Sequence, residues 1–167
     1  ADTLVEEHYF TAIEQAIEAK SGLNGGIIYF EHPLEGTEFT REIFDAVAKY
    51  ELFLRYYNQA LRWTGFPYAF HTIGSAFFVR ALADVKQGGM IRRKAGEDFY
   101  FLNKIFQLGN IREVNSTAVY PSPRFSERVL FGTGPEIEKI TKNSDEPYMA
   151  YNPEAFYSLK AFYSEID

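Results

Sequence analysis

Two adjacent carboxylates, Glu97 and Asp98, stand at the head of an apolar run from Phe99 to Leu108, with Gly88-Gly89 and the basic triplet Arg92-Arg93-Lys94 before them. Leu102, Ile105, Phe106 and Leu108 recur at helical spacing, so Gly96 marks a helix entrance and Gly109 its stop. The acid pair then lies in the first helical turn, where unpaired backbone N–H groups and the macrodipole favour the ionised form by about 0.3 to 1 kcal/mol. An ionised carboxylate held there can accept a hydrogen bond from a hydroxyl group. The plainer reading is that Glu97 and Asp98 only cap the helix. Neighbouring residues of a helix point roughly 100° apart, so the pair does not suit a hydrolase, whose two carboxyl groups must flank one scissile bond.

Other chemistries find less support. No phosphate-binding loop of the nucleotide-triphosphatase kind and no dinucleotide fingerprint is present; the loop Phe131-Gly132-Thr133-Gly134 could turn backbone N–H groups toward an anion, a weak signal alone. Ser75 follows Gly74 but lacks the spacing of a nucleophile elbow, and His8, His32 and His71 each read as structural. There is no His-rich helix motif and no calcium loop, and a hard cation would need carboxylates, of which Asp2 is placed most suggestively. Arg55 and Arg62, a heptad apart, read as one solvated face, with a grip on phosphate as the alternative.

The elements that must position these residues follow from periodicity. Thr3 and Glu6 form a capping box for a helix carrying Val5, Tyr9, Ile13, Ala16 and Ile17 and ending near Ser21-Gly22. Gly25 to Phe30 reads as a strand, and Gly36 to Thr40 as a loop with Thr40 as N-cap. A long helix striped by Ile43, Phe44, Val47, Leu54, Tyr57 and Leu61 runs to Gly65-Phe66-Pro67. His71 to Arg80 reads as a strand in which Gly74 and Ser75 are small enough for a ligand to approach the backbone; a short helix over Ala81 to Gln87, a strand over Thr117 to Tyr120 and a terminal helix from Pro153, packed by Phe156, Leu159 and Phe162, complete the chain. Alternating strands and helices predict α/β layers in one domain over residues 1–167.

Composition narrows the partners. A net charge of -6 and a pI near 5.2, without a long basic run, argue against nucleic acid. No apolar run approaches the roughly 20 residues that span a bilayer, and the lack of cysteine fits a reducing compartment, so a cytoplasmic protein is expected, peripheral at the inner membrane at most. Sixteen Phe and twelve Tyr suit a large core, a stacking surface for sugars, or both. The opening Ala1-Asp2-Thr3 enters structure at once and reads like a cut end.

Three blocks in order carry a family resemblance: His71-Thr72-Ile73-Gly74-Ser75-Ala76; Gly88-Gly89 with Arg92-Arg93-Lys94-Ala95-Gly96-Glu97-Asp98-Phe99; and Tyr120-Pro121-Ser122-Pro123-Arg124-Phe125-Ser126-Glu127-Arg128 with Phe131-Gly132-Thr133-Gly134. Over about residues 1 to 140 the chain resembles the C-terminal half of bacterial family 2 glycosyltransferases, and the Gly-Gly, spacer, Gly-Glu-Asp pattern is similar to the acceptor-side segment of galactosyltransferases. The resemblance implies the C-terminal part of a nucleotide-diphospho-sugar transferase (GT-A-like) fold, a mixed sheet flanked by helices. It further implies a nucleotide-sugar donor, a saccharide acceptor, and Mg or Mn held by an Asp-x-Asp motif whose second aspartate would be Asp2. Asp98 would then be the base, Glu97 would bind or orient the acceptor, and Gly74, Ser75 and Gly96 would line the sugar site. Arg92, Arg93, Arg124 and Arg128 would stabilise the leaving diphosphate. Because the donor-binding half is absent, this chain alone is expected to be inactive and to self-associate through the face the missing half would cover. The alternative is a non-enzymatic carbohydrate-binding or protein-interaction module.

Overall fold

A computed structural model describes residues 3–91, 96–125 and 132–166. Four strands and six helices appear among them: β1 (Thr3–Val5), α1 (Tyr9–Glu18), β2 (Gly25–Phe30), α2 (Arg41–Thr64), β3 (Phe77–Val79), α3 (Ala81–Lys86), α4 (Glu97–Gln107), β4 (Ile111–Pro121), α5 (Thr133–Lys142) and α6 (Pro153–Ser164). The strands form one mixed sheet in the order β1-β4-β2-β3, with β4 parallel to β2 and both outer pairs antiparallel. The chain is therefore α/β, a mixed sheet with helices packed against it.

Glycine explains how tightly β2 and β3 pair. A Cβ on Gly25 would sit 2.6 Å from the Phe78 carbonyl oxygen, and one on Gly26 would sit 2.3 Å from the Phe78 ring. Beyond the glycines, successive β2 residues alternate sides, as a strand requires. Ile28 and Phe30 join Ala16, Ala76, Val114 and Val119 in one cluster, while Ile27 packs with Leu102 and Phe106 of α4 in another. The parallel pairing slips between Ile28, opposite Val114, and Tyr29, opposite Ala118, so β4 carries an irregularity at its middle.

Helix α2 runs 24 residues, roughly 36 Å of backbone, and ties the halves of the fold together. Ala46, Val47 and Tyr50 meet Ile137 and Ile140 of α5, Leu54 reaches the sheet core, and Tyr56 and Tyr57 meet Phe156 of α6. Thr40 stands at its N-cap and Gly65, at φ 87°, closes its C-terminus, as the sequence predicts. Helix α4 likewise starts after Gly96 and stops before Gly109, burying Phe101, Leu102, Ile105 and Phe106.

Four expectations need correction. Thr3 and Glu6 do not cap a helix: Thr3 begins β1, α1 starts at Tyr9, and the Glu6 carboxylate accepts the Ala118 N–H at 2.9 Å, a partner on the sheet that local spacing cannot reveal. The strand expected over His71 to Arg80 shrinks to Phe77–Val79, because residues before it turn, with Ala76 N–H bonded to the Ile73 carbonyl. The loop expected at Gly132-Thr133-Gly134 opens helix α5. In α6, Phe156 is buried but Phe162 is 59% exposed and does not pack the helix down.

Candidate functional site

The N-terminus of α4 opens on a cleft of about 1010 Å³. Its walls are the inner face of α2 (Tyr50, Phe53, Tyr57), the turn from Phe70 to Gly74, the α4 entrance (Gly96 to Phe99), the first turns of α5 (Thr133, Glu136, Lys139) and the segment Tyr148 to Tyr151. Of the residues singled out from the sequence for chemistry, Gly74, Gly96, Glu97 and Asp98 come together here, with His71, Gly132 and Thr133 on the same walls.

Gly96 takes φ 70°, a left-handed conformation that favours glycine, and so turns the chain into α4 with the acid pair in its first turn. The Asp98 Oδ1 accepts the Phe99 N–H at 2.8 Å. Its Oδ2 lies against Gly74, where an added Cβ would be only 2.6 Å away. Gly74 thus makes room for the carboxylate itself, where the sequence suggests room for a ligand. Burial raises the proton affinity of Asp98 above that of an ordinary aspartate, opposed by the bond from Phe99 and reinforced by the charge of Glu97. The expectation that the helix end alone would favour the ionised form is therefore reversed: desolvation outweighs the dipole.

The remaining expected site residues separate from the cleft or lie beyond description. Ser75 is exposed on the turn and does not line the cleft, and Arg124, half-buried just past β4, does not line it either. Asp2, Arg92, Arg93 and Arg128 lie outside the described residues, so the metal and diphosphate roles expected of them have no geometry here. Among the described residues no group of three or more His, Cys, Asp or Glu is placed to hold a metal ion.

Arg55 and Arg62 are each paired with a carboxylate. Arg55 donates to Glu51 at 2.6 and 3.0 Å and to the Phe30 carbonyl at 2.8 Å; Arg62 pairs with Glu113 of β4 and bonds Asn58 and the Ala69 carbonyl. The solvated face expected for them holds in part, since each side chain stays about one-third exposed while paired with a carboxylate. Two histidines, His32 and His71, lie near these pairs. His32 is buried and sets its Nδ1 2.8 Å from Glu51, which also accepts the His32 backbone N–H at 2.7 Å. Burial would raise the Glu51 carboxyl, but those bonds and Arg55 carry it down to about 2. An ionised Glu51 only accepts, so Nδ1 is the donor, while Nε2 lies 3.3 Å from the Thr133 hydroxyl. His71 is held down to about 4 by burial and by the nearby charges of Arg55 and Arg62, so it is neutral at pH 7.

Sequence reading missed the wall opposite Asp98. The Tyr50 hydroxyl is pushed up to about 12 by burial and then by the negative charges of Glu136 and Asp98, so it stays protonated at neutral pH. Tyr148 donates to Glu136 Oε2 at 3.4 Å, and Lys139 approaches the same oxygen at 3.6 Å. The available signal was Ile137 with Ile140 and the Glu136/Lys139 pair, three residues apart in each case, which marks a short amphipathic helix; the flanking glycines obscured it.

Among the described residues no helix is long and apolar enough to cross a membrane. Comparison with protein-family models, with curated proteins and with solved structures found no match to this chain.

Proposed function

We propose that the chain is the acceptor-side portion of an inverting, metal-dependent glycosyltransferase that moves a sugar from a nucleotide-sugar to a saccharide acceptor. The fold would then be the C-terminal part of a nucleotide-diphospho-sugar transferase. The observation that carries this reading is Asp98: a carboxylate at a helix entrance, facing a large cleft, with its proton affinity raised by burial. Raised affinity makes the ionised carboxylate a stronger base toward a hydroxyl proton. In this reading the acceptor hydroxyl lies within hydrogen-bond reach of Asp98. Its proton passes to that carboxylate as the oxygen attacks the anomeric carbon, and the nucleoside diphosphate leaves from the opposite face with the bonding electrons. Glu97, the other carboxylate of the first turn, orients the acceptor. Mg or Mn, with Asp2 among its ligands, would neutralise the departing diphosphate.

The three sequence blocks add support, since each contributes lining to this cleft: the first through Gly74, the second through Gly96 to Asp98, and the third through Gly132 and Thr133. The test is release of nucleoside diphosphate from a panel of nucleotide-sugars with Mn²⁺ and saccharide acceptors, measured on the full-length protein of which this chain would be part. Transfer should require Asp98, and Asp98→Asn should abolish it while preserving the fold. An Asp98→Asn variant as active as the parent would end the assignment. A second reading, a carbohydrate-binding module without transfer, draws on the aromatic side chains of the same cleft; saccharide binding with no cleavage of any donor would favour it.

A further inference from the structure

The cleft does not end at Asp98. Beyond Tyr50 it runs along α2 to a group of rings that is poorly covered by the rest of the fold. Phe53 and Tyr57, one helical turn apart, are stacked with centroids 6.3 Å apart and an interplanar angle of 7°. Tyr151 leans on both, at 5.8 Å from Phe53 and 5.2 Å from Tyr57, and its backbone carbonyl is fixed by the Tyr56 hydroxyl at 2.8 Å. Yet Tyr57 is 38% and Tyr151 55% exposed, and both line the cleft. A polar edge adjoins the rings: Tyr148, 5.8 Å from Phe53, reaches Glu136, which Lys139 also approaches. Aromatic surface beside a fixed acceptor and a fixed donor matches the two sides of a pyranose, whose C–H face stacks on rings while its hydroxyls seek hydrogen bonds at the rim. The cleft is at the top of the range, roughly 300 to 1,000 Å³, that encloses drug-sized ligands, so it has room for linked sugars.

We infer that Tyr57 and Tyr151, edged by Glu136 and Lys139, form a saccharide subsite that holds a sugar unit distant from the one presented to Asp98. That the bound saccharide is a transfer acceptor rests on the function proposed above; the subsite itself does not. It makes the ligand an oligosaccharide, gripped by stacking at one end and offered for chemistry at the other.

The test is calorimetry on the 167-residue chain, without any nucleotide-sugar, using linear tetrasaccharides of glucose, galactose, mannose and N-acetylglucosamine. At least one should bind, and its monosaccharide should bind far more weakly. Tyr151→Phe, which keeps the ring, should bind as the parent does. Tyr151→Leu should bind roughly 2- to 12-fold more weakly, the loss expected for one aromatic contact. The thermal midpoint of Tyr151→Leu, an exposed position, controls for folding. No binding of any tetrasaccharide at millimolar concentration, or binding indifferent to Tyr151→Leu, overturns the subsite. Transfer that needs Asp98 but ignores Tyr151→Leu would keep the transferase and remove the subsite, whereas Tyr151-dependent binding without any transfer would keep the subsite and remove the transferase.

Discussion

Asp98 Oδ2 rests against the one face of Gly74 that any other residue would fill, since a Cβ there would stand 2.6 Å from the oxygen. The turn before β3 and the entrance of α4, 24 residues apart in sequence, are thereby fitted to each other at the candidate base. Gly74→Ala must push the carboxylate aside or shift the turn, and overpacking of this kind costs about 1 to 3 kcal/mol. The expected outcome is a lower thermal midpoint together with a fall in transfer of tenfold or more, because a base must lie within about 3 Å of the proton it takes. Transfer unchanged in Gly74→Ala would show that the position of Asp98 is immaterial.

Burial of Asp98 makes stability depend on pH in a definite direction. Its folded proton affinity is raised, first by desolvation and then by Glu97, so the protonated form is the one the fold favours. The contribution is fully present below the ordinary aspartate value of 3.8 and is lost as pH climbs through the raised folded value. Asp98→Asn, which cannot ionise, should therefore be more stable than the parent near pH 7, with the advantage vanishing in acid. Thermal melts of both proteins from pH 3 to 7 measure this; an Asn variant less stable at pH 7 would refute the sign.

What the sequence reveals of this molecule is what is written locally. Helix α4 is bracketed by Gly96 and Gly109, and its first-turn acids and apolar stripe lie within a dozen residues, so the element, its boundaries and the place of the acid pair follow from spacing. Helix α2 is legible for the same reason, between Thr40 and Gly65. Failures arise where a distant partner decides. Glu6 serves β4 at Ala118, 112 positions away, so the local capping pattern with Thr3 is overridden. Arg62 is paired with Glu113 of β4, a partner that no heptad spacing can show. The wall of Tyr50, Glu136 and Tyr148 is assembled from two helices and a loop that only the fold brings together.

Arg62 offers a direct comparison between structural and ligand-binding roles. Its guanidinium bridges α2 to β4 through Glu113, a fork-to-fork pairing that a lysine cannot copy. Both side chains are about one-third exposed, so screening limits the worth of the pair to about 1 kcal/mol. Arg62→Lys should lower stability by about that amount, measured by urea unfolding, and leave the KM for any nucleotide-sugar unchanged. A large rise in that KM at intact stability would restore the phosphate-gripping role.

Glu51 should set the acid limit of the fold. Desolvation alone would raise its carboxyl from the ordinary 4.5, but the His32 ring and backbone N–H, and then Arg55, bring it down to about 2. A depressed folded value means that the stabilisation exists above pH 4.5 and disappears as pH falls toward 2, where the carboxylate must be protonated at the expense of those bonds. Glu51→Gln keeps the shape but removes the charge, leaving Arg55 and the His32 N–H groups with a weaker acceptor in a largely buried setting. The expected loss is about 3 kcal/mol at pH 7, with a flatter dependence of stability on pH between 4.5 and 2. Because His32 also holds the Thr133 hydroxyl, the same variant should loosen the N-terminus of α5, seen as faster amide exchange in its first turns. Equal stability of parent and Glu51→Gln at pH 7 would mean that this buried network only breaks even with the water it displaces.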